Sequence, residues 1–286
     1  MSPLRAVICG AAMVRKPWRI WALTWTLTLA FAIVFVLPVA ALLARNLGHS
    51  LYAAQMLGNF DLAWIREIVV QTAGAPLVTL PPLLIALALA YVILMTFLNG
   101  GALGVFTGST TFWNGCGRYF SRLARLLPYA LICYGLVFAA NRGLEKAGKQ
   151  IWGAGMEERP VAIYGWVRAG VILLLVLLVN MIFDYAKIRV VAADAKSAWR
   201  AFFSALRFVW RNFGRTAATY ALVSLAGLAL TALWWAVSGA LPRTAIGWLA
   251  VVLVAQQACV FARIGIRLLY LASATELHES SPATAP

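Results

Sequence analysis

Six stretches of this chain are apolar for roughly twenty residues each, the length an α-helix needs to cross a bilayer core of about 30 Å. They fall at residues 20–44, 76–98, 126–144, 162–186, 216–240 and 246–269. Lipid offers a backbone no hydrogen-bond partner, so each such stretch has to satisfy itself as a helix. Composition points the same way: 63% of the 286 residues are hydrophobic and 12% are charged, with a mean hydropathy of +0.85. A soluble domain carries roughly a quarter of its residues as charges. The expected fold is all-α, a polytopic membrane protein with one transmembrane domain over residues 1–275. The last residues, ELHESSPATAP (276–286), have the composition of a disordered cytoplasmic tail. Pro38 is expected to kink the first span, and Pro76, Pro81 and Pro82 stand at the start of the second.

The formal charge of +15 reads as topology rather than as a nucleic-acid surface, because the cations flank apolar spans. With the N-terminus inside, sixteen of the 24 Lys and Arg residues lie on the cytoplasmic side and eight outside. Four of the nine acids lie inside, which leaves +12 inside and +3 outside. Both termini are therefore expected in the cytoplasm of a bacterial cell, with the chain in its inner membrane. The start, MSPLRAVICGAAMVRKPWR, is too short in its apolar part and too basic afterwards for a signal peptide, and is expected to be retained. In the first outer loop an interfacial helix is expected around Asp61 to Val70. The second loop, NRGLEKAGKQIWGAGMEERP, reads as a solvated turn.

Each odd-numbered span is preceded by a basic, aromatic segment: AVICGAAMVRKPWRIWALTWTL, GRYFSRLARLLPYAL and AFFSALRFVWRNFGRTAATYAL. Placing Ala6 on Ala201 without gaps pairs Val14 with Val209, Lys16 with Arg211, Thr24 with Thr219 and Leu27 with Leu222; the middle copy matches through Pro128–Leu131 against Thr219–Leu222. The even-numbered spans end alike in IFDYAKIR (Ile182–Arg189) and VFARIGIR (Val260–Arg267), with TFLNGGAL (Thr96–Leu103) a weaker copy. The pattern predicts three helical hairpins, each led by an interfacial amphipathic basic helix.

On a helical wheel of 100° per residue with Lys196 at zero, Arg200, Arg207 and Arg211 fall at about 20° to 60°. Trp199, Phe202, Leu206, Val209 and Phe213 fall at about 220° to 300° on the same wheel. In the middle copy Arg118, Arg122 and Arg125 share one side. Such a helix lies in the membrane interface with its apolar face among acyl chains. Two readings stay open for these seven cations. They only anchor hairpins and set topology, or they hold anionic headgroups of the cytoplasmic leaflet or an acidic protein partner.

Asp184 meets Lys187 one turn on, close enough to pair. Arg168 and Asp184 are 16 residues apart, about 24 Å along a helix, so they stand near opposite membrane boundaries and Asp184 is expected at the cytoplasmic end of its helix. Polar groups deeper in the spans are few: Gln256 and Gln257, one of which should face other helices, and Asn180. No Asp, Glu, Lys, Arg or His sits at a midplane, which argues against proton-coupled transport. The four cysteines, Cys9, Cys116, Cys133 and Cys259, lack metal-ligand spacing, and the two histidines, His49 and His278, have no partners in spacing. No nucleotide loop, HExxH or GxSxG occurs. Neither enzymatic activity nor a cofactor is expected.

With these motifs in view, the chain resembles a group of uncharacterised bacterial six-helix membrane proteins, similar to the membrane domain attached to some glycerophosphodiester phosphodiesterases. The resemblance rests on IFDYAKIR, on DAKSAWRAFFSALRFVWRN after it and on FLNGG at the end of the second span. It implies a fold and a membrane and carries over no active site. The functional expectation is a non-enzymatic component that scaffolds a membrane complex or interacts with lipid. A permease subunit, with a polar path along Gln256, Gln257 and Asn180, is the competing expectation.

Overall fold

The computed structural model describes residues 2–15, 17–47, 80–151, 158–195, 197–240 and 246–280. Among them are nine helices and no strand: α1 (Pro3–Arg15), α2 (Trp18–Leu47), α3 (Leu80–Phe106), α4 (Phe112–Ala124), α5 (Leu127–Ile151), α6 (Glu158–Ala192), α7 (Ala198–Arg211), α8 (Phe213–Ala240) and α9 (Ile246–Glu279). Their order is short, long, long, three times over. Six helices are long and apolar enough to cross a membrane. The expected interfacial helix around Asp61 to Val70 and the residues Lys16 and Lys196 lie outside the described residues.

Three expectations need correction. The second outer loop is largely helix, because α5 continues to Ile151 and α6 already begins at Glu158. Its charges serve the helices: Lys149 pairs with Glu145 at 2.8 Å one turn back, and Tyr164 of α6 donates its hydroxyl to the Leu144 carbonyl. The tail does not begin at 276, since α9 runs to Glu279 with Leu277 and His278 buried. And α6 does not end near Asp184 but two turns later, at Ala192.

The chain divides into two compact units, Met1–Trp21 with Thr96–Pro286, and Ala22–Met95. In the smaller one, Phe31 of α2 meets Tyr91 of α3 at 5.6 Å between ring centres. In the larger one, α5 and α6 run antiparallel, joined by Tyr134 with Asn180 toward one end and Glu145 with Arg168 toward the other. Helices α8 and α9 do the same through Tyr220 with Tyr270 and through Gly227 beside Ile266.

Burial is concentrated at one end of these helices. The most apolar window of each candidate span is at most 17% buried, whereas the last turns of α3, α6 and α9 and all three short helices supply most of the core. Lipid can cover the spans, so little helix-to-helix burial is needed there. Beyond the spans only protein can cover apolar side chains. The result is a packed helical cap on the ends of the long helices.

The cap is assembled by close approach of small residues. Helix α1 begins at Pro3, with the Ser2 hydroxyl accepting the Arg5 N–H at 3.4 Å, and lies on α9; a Cβ at Gly10 would stand 2.7 Å from the Ser273 nitrogen. Helix α4 lies on α3, where a Cβ at Gly101 would stand 2.7 Å from the Phe112 carbonyl oxygen, and one at Gly115 3.1 Å from that of Gly100. Helix α7 lies on α6 through Tyr185 against Phe208 at 5.4 Å and Phe183 against Phe202 at 5.3 Å. Each short helix thus docks on the second long helix of the preceding triplet, and α1 closes on the last. The positions paired in the sequence share this role: Ala6 and Ala201, Gly10 and Ala205, Val14 and Val209 are all buried. In the middle copy Gly115, Tyr119 and Leu123 are buried at the same four-residue spacing. The end motifs agree less well, because Arg189 donates to the Ser204 carbonyl at 2.8 Å inside the cap while Arg267 is exposed.

Candidate lipid and partner interface

Helix α7 carries three distinct faces. Ala201, Ala205, Phe208 and Val209 are buried in the cap. Arg200, Arg207 and Arg211 are exposed and form no ion pair among the described residues. Trp199, Phe203 and Trp210 flank them, with Trp199 56% and Trp210 74% exposed. The apolar side departs from the sequence expectation: Val209 packs into protein, Phe202 and Leu206 are half-buried against the core, and the exposed aromatics sit beside the arginines. An Arg–Trp strip of this kind fits a headgroup region, where an amphipathic ring and a cation both find partners.

In α4 the expected stripe is split. Arg118 and Arg122 both reach Asp194, Arg118 through Nη2 to Oδ2 at 3.1 Å and Arg122 through Nη1 to Oδ1 and, at 3.1 Å, to the Asp194 carbonyl. Asp194 turns the chain after α6 with φ of +46°, a left-handed conformation that an aspartate tolerates better than most side chains. The two guanidiniums, Arg122 first, hold its carboxyl below the usual range. Arg122 and Arg118 also lie over the Tyr119 ring, 5.9 and 5.7 Å from its centre. These two cations therefore fasten α4 to the end of α6. Arg125 is exposed. Nothing in the local sequence AADAKS marks Asp194 as their partner, apart from its position at a helix end.

Asp184 and Lys187 do pair, at 2.7 Å. They stand where the lipid-facing length of α6 gives way to its buried last turns, between Phe183, Tyr185, Ala186 and Ile188, all of them buried. The intramembrane amides are not brought together by any hydrogen bond among the described residues. Asn180 accepts from the Tyr134 hydroxyl, Gln257 is half-buried and Gln256 is exposed. Cys116 is buried against Gly101, and burial pushes its thiol up to about 11, leaving it neutral and a poor nucleophile. Among the described residues no three His, Cys, Asp or Glu side chains stand close enough to hold a metal ion. Compared with known proteins, the chain has no significant match among family models, curated proteins or solved structures.

Proposed function

We propose that this is a non-enzymatic integral protein of the bacterial inner membrane that scaffolds a membrane complex or handles lipid at the cytoplasmic leaflet. Its six spans form three hairpins with both termini in the cytoplasm, and the short basic helices lie at the inner interface. The fold-level likeness to the membrane domain of glycerophosphodiester phosphodiesterases belongs to the same reading. The observation that carries it is the exposed strip of Arg200, Arg207 and Arg211 beside Trp199 and Trp210 on α7. A cation near an anionic leaflet contributes about 1 kcal/mol, so three together amount to about a hundredfold in lipid retention.

The test is native mass spectrometry of the full chain released gently from its own membrane, beside a variant with Arg200→Gln, Arg207→Gln and Arg211→Gln. The wild type is expected to keep anionic phospholipid or an acidic protein partner, and the variant to lose it. Equal retention by both would remove the reading.

A further inference from the structure

Helices α5 and α6 end their apolar surfaces at different depths. Between Val161 and Phe183 of α6 the polar side chains Tyr164, Arg168 and Asn180 all turn to partners on α5. The lipid-facing side is apolar over that whole length, about 33 Å, and close to its outer end Ile163 is 64% and Trp166 79% exposed. That length matches a hydrocarbon core of about 30 Å. On α5 the apolar run from Leu127 stops at Ala140, after about 20 Å. Contacts fix the register of the two helices at this end, far from the cap. The Tyr164 hydroxyl donates to the Leu144 carbonyl, Glu145 stands 3.9 Å from Arg168, and the Tyr164 ring lies where a side chain on Gly148 would stand. Arg142 of α5 is therefore level with Gly170 of α6, about 13 Å inside Val161.

Cations stand where α5 falls short. On a helical wheel Lys146, Lys149, Phe138 and Leu131 lie within about 40° of Arg142 on either side, and this shared face is exposed. The Arg142 guanidinium does not reach outward: it lies over the Phe138 ring, one turn deeper, at 5.3 Å. Lys149 pairs with Glu145, whereas Arg142 and Lys146 have no acidic partner among the described residues. In the same layer α6 presents Ile163, Trp166 and Val167 to acyl chains, where an unpaired cation is costly. A phospholipid meets both parts of the α5 face in order, its phosphate on the cations and its acyl chains on Phe138 and Leu131. The geometry points to a phosphate-binding notch on α5, which draws phospholipid headgroups of the leaflet opposite the cap down to Arg142 and Lys146. The bilayer is thinned beside α5 and not beside α6. The notch rests on the membrane reading above but not on the α7 strip, and it holds for either orientation of the chain.

The experiment puts a nitroxide on a single cysteine of the full chain, its four native cysteines replaced, in vesicles of phosphatidylethanolamine and phosphatidylglycerol in phosphate-free buffer. Gly143→Cys stands beside the notch and Gly170→Cys at the same level on α6, and a side chain meets open space at both. Electron–nuclear double resonance reads lipid phosphorus near each probe. The expected result is a phosphorus coupling at Gly143→Cys and none at Gly170→Cys. Arg142→Gln with Lys146→Gln should abolish that coupling, and Arg142→Lys with Lys146→Arg should keep it. Equal coupling at the two probes, no coupling at either, or a coupling that survives the glutamine pair would overturn the notch. A third probe, Leu174→Cys at an exposed position deeper on α6, reads the membrane itself. Access by oxygen but not by a water-soluble nickel complex keeps the membrane reading, so that equal phosphorus coupling then removes the notch alone. Access by the nickel complex removes both.

Discussion

Single residues hold the cap together in two ways, by being small and by being charged. Gly10 has Ser273 against it where a side chain would stand, so Gly10→Leu forces α1 off α9. Overpacking costs about 1–3 kcal/mol, and thermal unfolding in detergent should fall accordingly, whereas Gly117→Ala, where the space is open, should change little. The Asp194 clamp acts through charge. Its carboxyl is held below the ordinary range in the folded protein, so it stabilises above the ordinary carboxylate pKa, and that contribution is lost as pH falls through the depressed value. Asp194→Asn should therefore unfold earlier than wild type at neutral pH, and the gap should close in acid. A gap of constant size from neutral pH to acid would contradict an electrostatic clamp.

At the scale of elements, sequence periodicity recovers the spans because lipid imposes a uniform demand along each one. All six expected stretches fall largely within observed long helices, and the helical spacing of Asp184 and Lys187 places them in contact. The buried face of α7 escapes the same reasoning. Its central contacts are Ala201 and Ala205, too small to dominate an apolar pattern, so large side chains such as Trp199 and Phe213 set the expected face and turn out exposed. Charge misleads in a related way at α6. An aspartate near the end of an apolar run ordinarily marks where helix leaves lipid, yet here protein takes over as the covering medium and Ile188, Val190 and Val191 stay buried for two more turns. The Arg118–Asp194–Arg122 clamp was legible only as three separate charges, because its partners are more than seventy residues apart. Helix α1 carries an element-scale prediction. Deleting residues 2–15 should raise amide exchange across Leu268–Leu277 of α9, which α1 covers, and leave exchange in α5 unchanged. Uniform deprotection of both would mean that the cap is not built from separately docked helices.

For the whole molecule, the division of labour between solvent phases decides the architecture. Lipid-covered spans need little mutual burial, while the cap is where the chain buries apolar and aromatic side chains against itself. The proposed function follows only if that cap stands on the cytoplasmic side, with Arg207 at the inner leaflet. The most direct measurement is membrane-impermeant maleimide labelling of Arg207→Cys in a chain whose four native cysteines are replaced. Labelling in inside-out vesicles and protection in intact spheroplasts is the predicted result. Labelling in spheroplasts would put the cap outside the cell and contradict the account.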